Sequence, residues 1–182
     1  MSGINNYCFV DLPPHEQVLC NAFMRGGISA IALIETDANI ASYSSAQSWN
    51  TAIAAGNARV IKGNLKADFP DGTPVEIENP SACGNDTIID AVDYVLTIMD
   101  ANVSENNDDF WTSANGRTFY LAINQCMEDE IIVWEVPVTV VAKAAAIPMS
   151  NKEIQKYTVE LKWNAKPDNF GTRYTAPTGI FE

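Results

Sequence analysis

A mainly β domain carrying one or two short helices (α+β) is the fold class this sequence predicts, and three observations predict it. Strand-type alternation runs through the second half, most clearly in Ile154 to Trp163. There Tyr157, Val159, Leu161 and Trp163 alternate with Lys156, Thr158, Glu160 and Lys162. Helix signals are confined to two short stretches, near Ala46 and near Glu105. Turn residues cluster between the periodic segments, with Pro70, Gly72, Pro74, Pro80 and Gly84 inside a single stretch.

Taken in order, residues 1–27 read as an N-terminal arm, with Pro13, Pro14, Gly26 and Gly27 and little periodicity. Ile28 to Thr36 is β-branched and apolar, the signature of a buried strand. Ser44-Ser45 precede an alanine-rich run in which Trp49, Ala52, Ile53 and Gly56 recur at helical spacing, so a short helix ending near Gly56 is expected. Val60 to Phe69 is a strand with Lys62 and Lys66 at its surface. Residues 70–85 form a long loop or an extended hairpin, within which Val75-Glu-Ile77-Glu alternates briefly.

Thr87 to Met99 fits two patterns. As a strand it places Val92, Tyr94, Leu96 and Ile98 on one face; as a helix it aligns Asp86, Asp90, Asp93, Thr97 and Asp100. Its content of Ile, Val, Tyr and Thr favours the strand. Ser104 to Ala114 is a helix with an acidic first turn, ended by Asn115-Gly116. In Thr118 to Asn124, Phe119, Leu121 and Ile123 share a face. Met127 to Glu130 turns the chain. Ile131 to Val141 puts Ile132, Trp134, Val136, Val138 and Val140 on one face, with an edge or bulge at Pro137. Ala144 to Asn151 connects to the last strand, and residues 165–182 read as a C-terminal arm. Residues 28–164 therefore make one β-rich domain, which suits 182 residues.

The charge is uneven. Met1 to Ala67 is neutral, Asp68 to Glu135 holds fifteen acids against one base (Arg117), and Val136 to Glu182 is +2, for a net charge of −12. An acidic middle excludes generic nucleic-acid binding, which needs clustered Lys and Arg. The one histidine, His15, rules out a two-histidine metal site, and beside Pro13 and Pro14 it reads as a solvated side chain. Cys8, Cys20, Cys83 and Cys126 lack paired spacing; a zinc cage and two disulfides stay open as alternatives, and buried free thiols are the expectation. Met1 to Tyr7 has neither a basic start nor an apolar run, so no secretory signal is expected, and no stretch reaches membrane-helix length.

Motifs for chemistry fail one by one. There is no GxGxxG or Walker A loop, and His15-Glu16 has no second histidine. Asp100-x-Asn102-x-Ser104 opens like a calcium loop, but Glu105 replaces the required glycine and Trp111 the terminal acid. Asp100, Glu105, Asp108 and Asp109 leave a looser calcium site open as an alternative, but a solvated acidic helix start is the expected reading. Trp49, Trp111, Trp134 and Trp163 sit at apolar-face positions, where core packing is expected. No catalytic, cofactor-binding or metal residue is assigned, no cofactor is expected, and the chain is not expected to be an enzyme.

From residue 87 onward the order is strand, acidic helix, strand, strand, strand. It is carried by Asp93 to Ile98, Glu105 to Trp111, Thr118 to Ile123, Ile131 to Val136 and Lys152 to Trp163. This half of the chain resembles the tail-tube protein family of bacteriophages and its relatives in neck rings and secretion tubes. The resemblance implies a β-sandwich or small barrel of tail-tube type. It implies a virion structural protein assembled in the bacterial host cytoplasm, forming cyclic homo-oligomeric rings that stack on adjacent tail or neck ring proteins. DNA would be passing, non-specific cargo in the channel, with the acidic middle facing it, and no membrane anchor is implied. The alternative is a monomeric β-sandwich binding module using its long loop, with Trp134 or Tyr120 at the ligand site.

Overall fold

Strand β1 (Ile28–Glu35) is buried along nearly its whole length because each of its faces meets a separate apolar layer. The computed structural model describes residues 27–62, 65–67, 69–78, 87–125, 129–146 and 155–181. The elements after β1 are α1 (Ala46–Ala54), β2 (Ala58–Lys62), β3 (Leu65–Lys66), β4 (Thr73–Glu78), β5 (Thr87–Asp100) and α2 (Glu105–Ala114). They continue through β6 (Thr118–Gln125), β7 (Glu130–Ala146), β8 (Lys156–Ala165) and β9 (Thr172–Thr175). The chain is thus mainly β, with two short helices among the described residues, whose nine strands all belong to one antiparallel sheet.

The strands run in the order β2-β1-β6-β7-β8-β5-β3, with β4 added to β5 and β9 added to β7. The two ends of this order, β2 and β3, are separated in the chain by residues 63–64 alone. The Ile28 N–H donates to the Ala67 carbonyl at 3.1 Å, so the start of β1 also meets the segment that leaves β3.

One face of the sheet gathers Ile31, Leu33, Leu96, Ile98, Leu121, Ile123, Val140, Val159 and Leu161 into a core with Trp111 of α2. At one side of it Phe69, Tyr94, Trp134 and Trp163 pack ring on ring, Tyr94 lying stacked on Trp163 at 5.1 Å. The opposite face of β1, β6 and β7 is covered by α1 and the C-terminal residues. Ala30, Ala32 and Ala122 are small there, which leaves room for Trp49. The Trp49 indole donates to the Tyr43 carbonyl at 2.8 Å, and its ring meets Phe181 edge-on at 5.1 Å.

Both helices are capped by serine: Ser45 stands just before α1 as expected, and Ser104, expected as the first helical residue, is the cap of α2. Ser45 Oγ accepts from the Ser48 N–H at 3.4 Å, and Ser104 Oγ from the Asn107 N–H at 3.2 Å. Thr87 to Met99 is a strand, with Tyr94, Leu96 and Ile98 buried and Val92 half-buried. Pro137 sits in a break in register: Phe119 pairs with Val138 but Leu121 with Trp134, so β7 carries extra residues there.

Several boundaries differ from the sequence expectation, each for a pairing reason. Val60 to Phe69 is two strands, and the first begins at Ala58 because Ala58 pairs with Ile34. The Ala144 connector starts later, since β7 continues to Ala146 opposite Lys156. Ile131 and Val133 are buried as well as Ile132 and Trp134, because α1 and the C-terminus cover the second face. In place of the expected C-terminal arm at 165–182, residues 166–181 pack back on the sheet through β9, with Ile180 and Phe181 buried. The N-terminal arm to residue 26, the turn at 126–128 and residues 147–154 lie outside the described residues.

Candidate functional site

The clearest departure from a closed, self-satisfied surface is a ribbon made by β4 and the first residues of β5. Pairing of β5 with β8 begins at Val92 opposite Ala165, so residues 87–91 have β4 as their paired neighbour among the described residues. The ribbon runs from Thr73 opposite Asp93 to Glu78 opposite Thr87. A register shift between Val75 and Glu76 leaves Asp90 without an opposite residue and increases the local twist. Glu76 and Ile89 are paired and share one face, while Ile77 points to the other. Ile77 is 43% exposed and Ile89 48%. From Pro70 to Asp93 the chain carries six acids and no base.

Gly72 sets where the ribbon leaves the sheet body. Its φ is +76°, and a Cβ there would fall 2.6 Å from Val92 Cγ1 and 2.7 Å from Tyr94 Cε1. No other residue fits that approach without moving the core.

A second open edge belongs to β9, which pairs with β7 alone among the described residues. Phe170, just before it, is 71% exposed, the highest value of any large apolar side chain described. Arg173 of β9 bonds Glu130 at 3.1 Å. Gly171, at φ +75°, brings this segment against Ile132 and Trp134, where a Cβ would sit 2.6 Å from Ile132 Cγ2. Between the two edges the outer face of β7, β8 and β5 carries Glu160, flanked by Lys162 at 2.8 Å and Lys143 at 3.7 Å. The Lys162 hydrogen bond and the two ammonium charges hold the Glu160 carboxyl below its ordinary range.

Of the four acids expected to be solvated at the start of α2, Glu105, Asp108 and Asp109 are exposed, whereas Asp100, the last residue of β5, is not. Asp100 is 2% exposed. Its Oδ1 accepts from the Asn102 N–H at 2.9 Å and from Asn102 Nδ2 at 2.7 Å, and its Oδ2 accepts from the Trp111 indole at 3.0 Å. The carboxylate thus anchors α2 on β5 through charge-assisted bonds. Asp108 accepts from the Tyr157 hydroxyl at 2.7 Å. Burial, then that bond, raise the Tyr157 hydroxyl above its ordinary range. Glu105 and Asp109 remain exposed, and no group of acids, His or Cys among the described residues has metal-site geometry. Tyr43 is held in the same way as Tyr157: burial, then its 2.8 Å bond to Glu135, raise its hydroxyl well above the ordinary range.

All four tryptophans are core residues, as expected from their positions. That corrects the ligand-site role weighed for Trp134, which is 1% exposed and offers no ring face to solvent. Tyr120 is half-buried against the α1 layer. His15 and Cys8, Cys20, Cys83 and Cys126 lie outside the described residues. The β9 edge is the feature that sequence reasoning misses. Its signal is the short run Thr172-Arg-Tyr-Thr175 between Gly171 and Pro177, which the expected C-terminal arm conceals.

A scan of protein-family models finds no match to this chain, and searches of curated proteins and of solved structures also find none.

Proposed function

We propose that this chain is a ring-forming structural subunit of the phage tail-tube or neck-ring kind, whose rings enclose a channel for DNA passage. The observation that carries the reading is the β4–β5 ribbon. A two-stranded ribbon projecting from a sheet is marginal in water on its own. This one also keeps Ile77 and Ile89 exposed. Such a feature gains stability by docking on a neighbour, and a neighbour of identical sequence on a different surface generates a ring when the rotation closes.

Two further features support it. The strand order that begins and ends in the 58–66 segment suits the small barrel expected of a tube subunit. The acidic middle suits a channel wall, because like charge keeps a passing polyanion from adhering. Of its acids whose side chains are described, all are exposed except Asp100 and the half-buried Glu130, and its one base, Arg117, is held by Glu35 at 2.7 Å. In this reading the partners are further copies and the adjacent ring proteins of a virion, with assembly in the host cytoplasm.

Negative-stain imaging of the purified chain at rising concentration tests the reading. Closed rings of uniform diameter are expected. A chain that stays monomeric throughout, and binds a small ligand saturably, belongs instead to the binding-module class.

A further inference from the structure

The sequence holds a single Asn-Gly pair, Asn115-Gly116, at the turn from α2 into β6. In an open chain such a pair reacts with itself, because glycine has no side chain to shield its backbone nitrogen. The Gly116 nitrogen attacks the Asn115 side-chain amide carbon and gives up its proton. A cyclic imide forms, the bond to Nδ2 breaks, and that nitrogen leaves as ammonia. Water then opens the imide at either carbonyl, giving aspartate or isoaspartate; in isoaspartate the main chain runs through the former side chain. Both residues are exposed, so solvent reaches the pair. The fold nevertheless holds each atom that the reaction must move. Asn115 Oδ1 accepts from the Ala142 N–H at 3.0 Å, which fixes the side-chain amide on β7. The Gly116 N–H, whose proton the attack must release, donates to the Val140 carbonyl at 2.8 Å. Asn115 has a ψ of 128°, which turns the Gly116 nitrogen away from Cβ, whereas ring closure needs the two eclipsed. Bonds on either side steady the turn: the Asn115 N–H donates to the Trp111 carbonyl and the Val140 N–H to the Arg117 carbonyl, each at 3.0 Å.

We infer that Asn115 is a conditional deamidation site, stable while the α2–β6 turn lies on β7 and converted once that turn opens. The conversion is one-way, since the ammonia is lost. Isoaspartate puts an additional methylene into the main chain between α2 and β6. The Gly116 bond to Val140 and the Ala142 bond to residue 115 then no longer form together, so α2 loses its seat at that end. Aspartate, the other product, keeps a side-chain oxygen for the Ala142 N–H and disturbs the turn less. A subunit that opens here is thereby marked, and its isoaspartate form is kept from closing again.

Mass spectrometry of the full chain, held at mildly alkaline pH with and without guanidinium chloride, tests the inference. The peptide carrying Asn115 is expected to gain the mass of an amide-to-acid exchange at least about tenfold more slowly in the folded chain, because only the open fraction reacts. Equal rates overturn the inference. Hydrogen exchange supplies a second readout, in which the Gly116 and Ala142 amides are both expected to be protected. A Gly116 amide that exchanges as freely in the folded chain as in denaturant also overturns it, since the bond assigned to the restraint is then not held. Finally, chain deamidated in denaturant and then refolded is expected to melt below both the parent and Asn115→Asp, which carries the acid without the added methylene. A refolded isoaspartate form that melts together with Asn115→Asp would show that the turn accepts the longer main chain, and the one-way mark falls.

Discussion

On the sheet body Ile31, Ile34, Leu96 and Ile98 have no exposed surface, whereas on the β4–β5 ribbon Ile77 and Ile89 keep 43% and 48% of theirs. The residue types are the same and the backbone is the same antiparallel ladder. What differs is the number of layers. Strands β1 and β6 have an apolar layer on both faces and a partner on both edges, and on β5 the face carrying Leu96 and Ile98 is covered by the main core, so these side chains stabilise the subunit. The ribbon has one partner strand and no covering layer among the described residues. Its apolar side chains contribute little to the isolated subunit and are available to a neighbour. The contrast teaches that a strand's hydrophobic content does not by itself say whether it serves folding or association.

Substitutions in the two regions should therefore separate by size and by readout. Trp49→Ala removes a fully buried ring between β1 and Phe181 and is expected to cost about 3–5 kcal/mol of subunit stability, read as a fall in the urea midpoint. A loss under about 1 kcal/mol would mean that α1 does not close the second core. At the base of α2, Asp100→Ala removes the acceptor of the buried Trp111 indole, with an expected cost of about 1–3 kcal/mol. Asp100→Asn should retain part of that, since one oxygen still accepts.

Gly72→Ala tests the junction between the regions. It places a Cβ against Val92 and Tyr94 in a left-handed backbone, and about 1–3 kcal/mol is expected. A neutral result would show that the ribbon's exit is not fixed by the core. Ile77→Ala and Ile89→Ala stand at the far end of the scale. Each should change subunit stability by no more than about 0.5 kcal/mol, as exposed positions do, while still weakening assembly.

The body also has a pH signature. Tyr43 and Tyr157 have hydroxyls raised above the ordinary value of 10.0, because burial and their acidic acceptors favour the protonated form. Unfolding releases both to ordinary titration. Their contribution is therefore intact below pH 10 and is lost as pH rises beyond it toward the folded-state values. Chemical denaturation at stepped alkaline pH should show stability declining above pH 10. Replacing both by phenylalanine should flatten that decline, and an unchanged slope would remove the two hydroxyls as its cause.

How much of the fold and of the ribbon is legible in the sequence follows from how local each signal is. The serine before α1, the alternation of Tyr157 to Trp163 and the break at Pro137 depend on a few neighbouring residues, and all are present in the fold. Asp100 looks solvated in the sequence because nothing nearby shows that Trp111, eleven residues on, returns its indole to it. The second burial of Ile131 and Val133 depends on α1 and the C-terminus arriving over the same face. The ribbon is legible as alternation around Val75 and Ile77, but its exposure is not. Exposure is set by β8 stopping at Ala165, far away in the chain.

The most direct measurement is sedimentation velocity of the intact 19.9 kDa chain across a wide concentration range. Ring assembly predicts a single discrete large species that grows at the expense of the monomer, without a continuous ladder of intermediates. A monomer that persists as the only species at the highest concentration would contradict the assignment of the exposed ribbon to association.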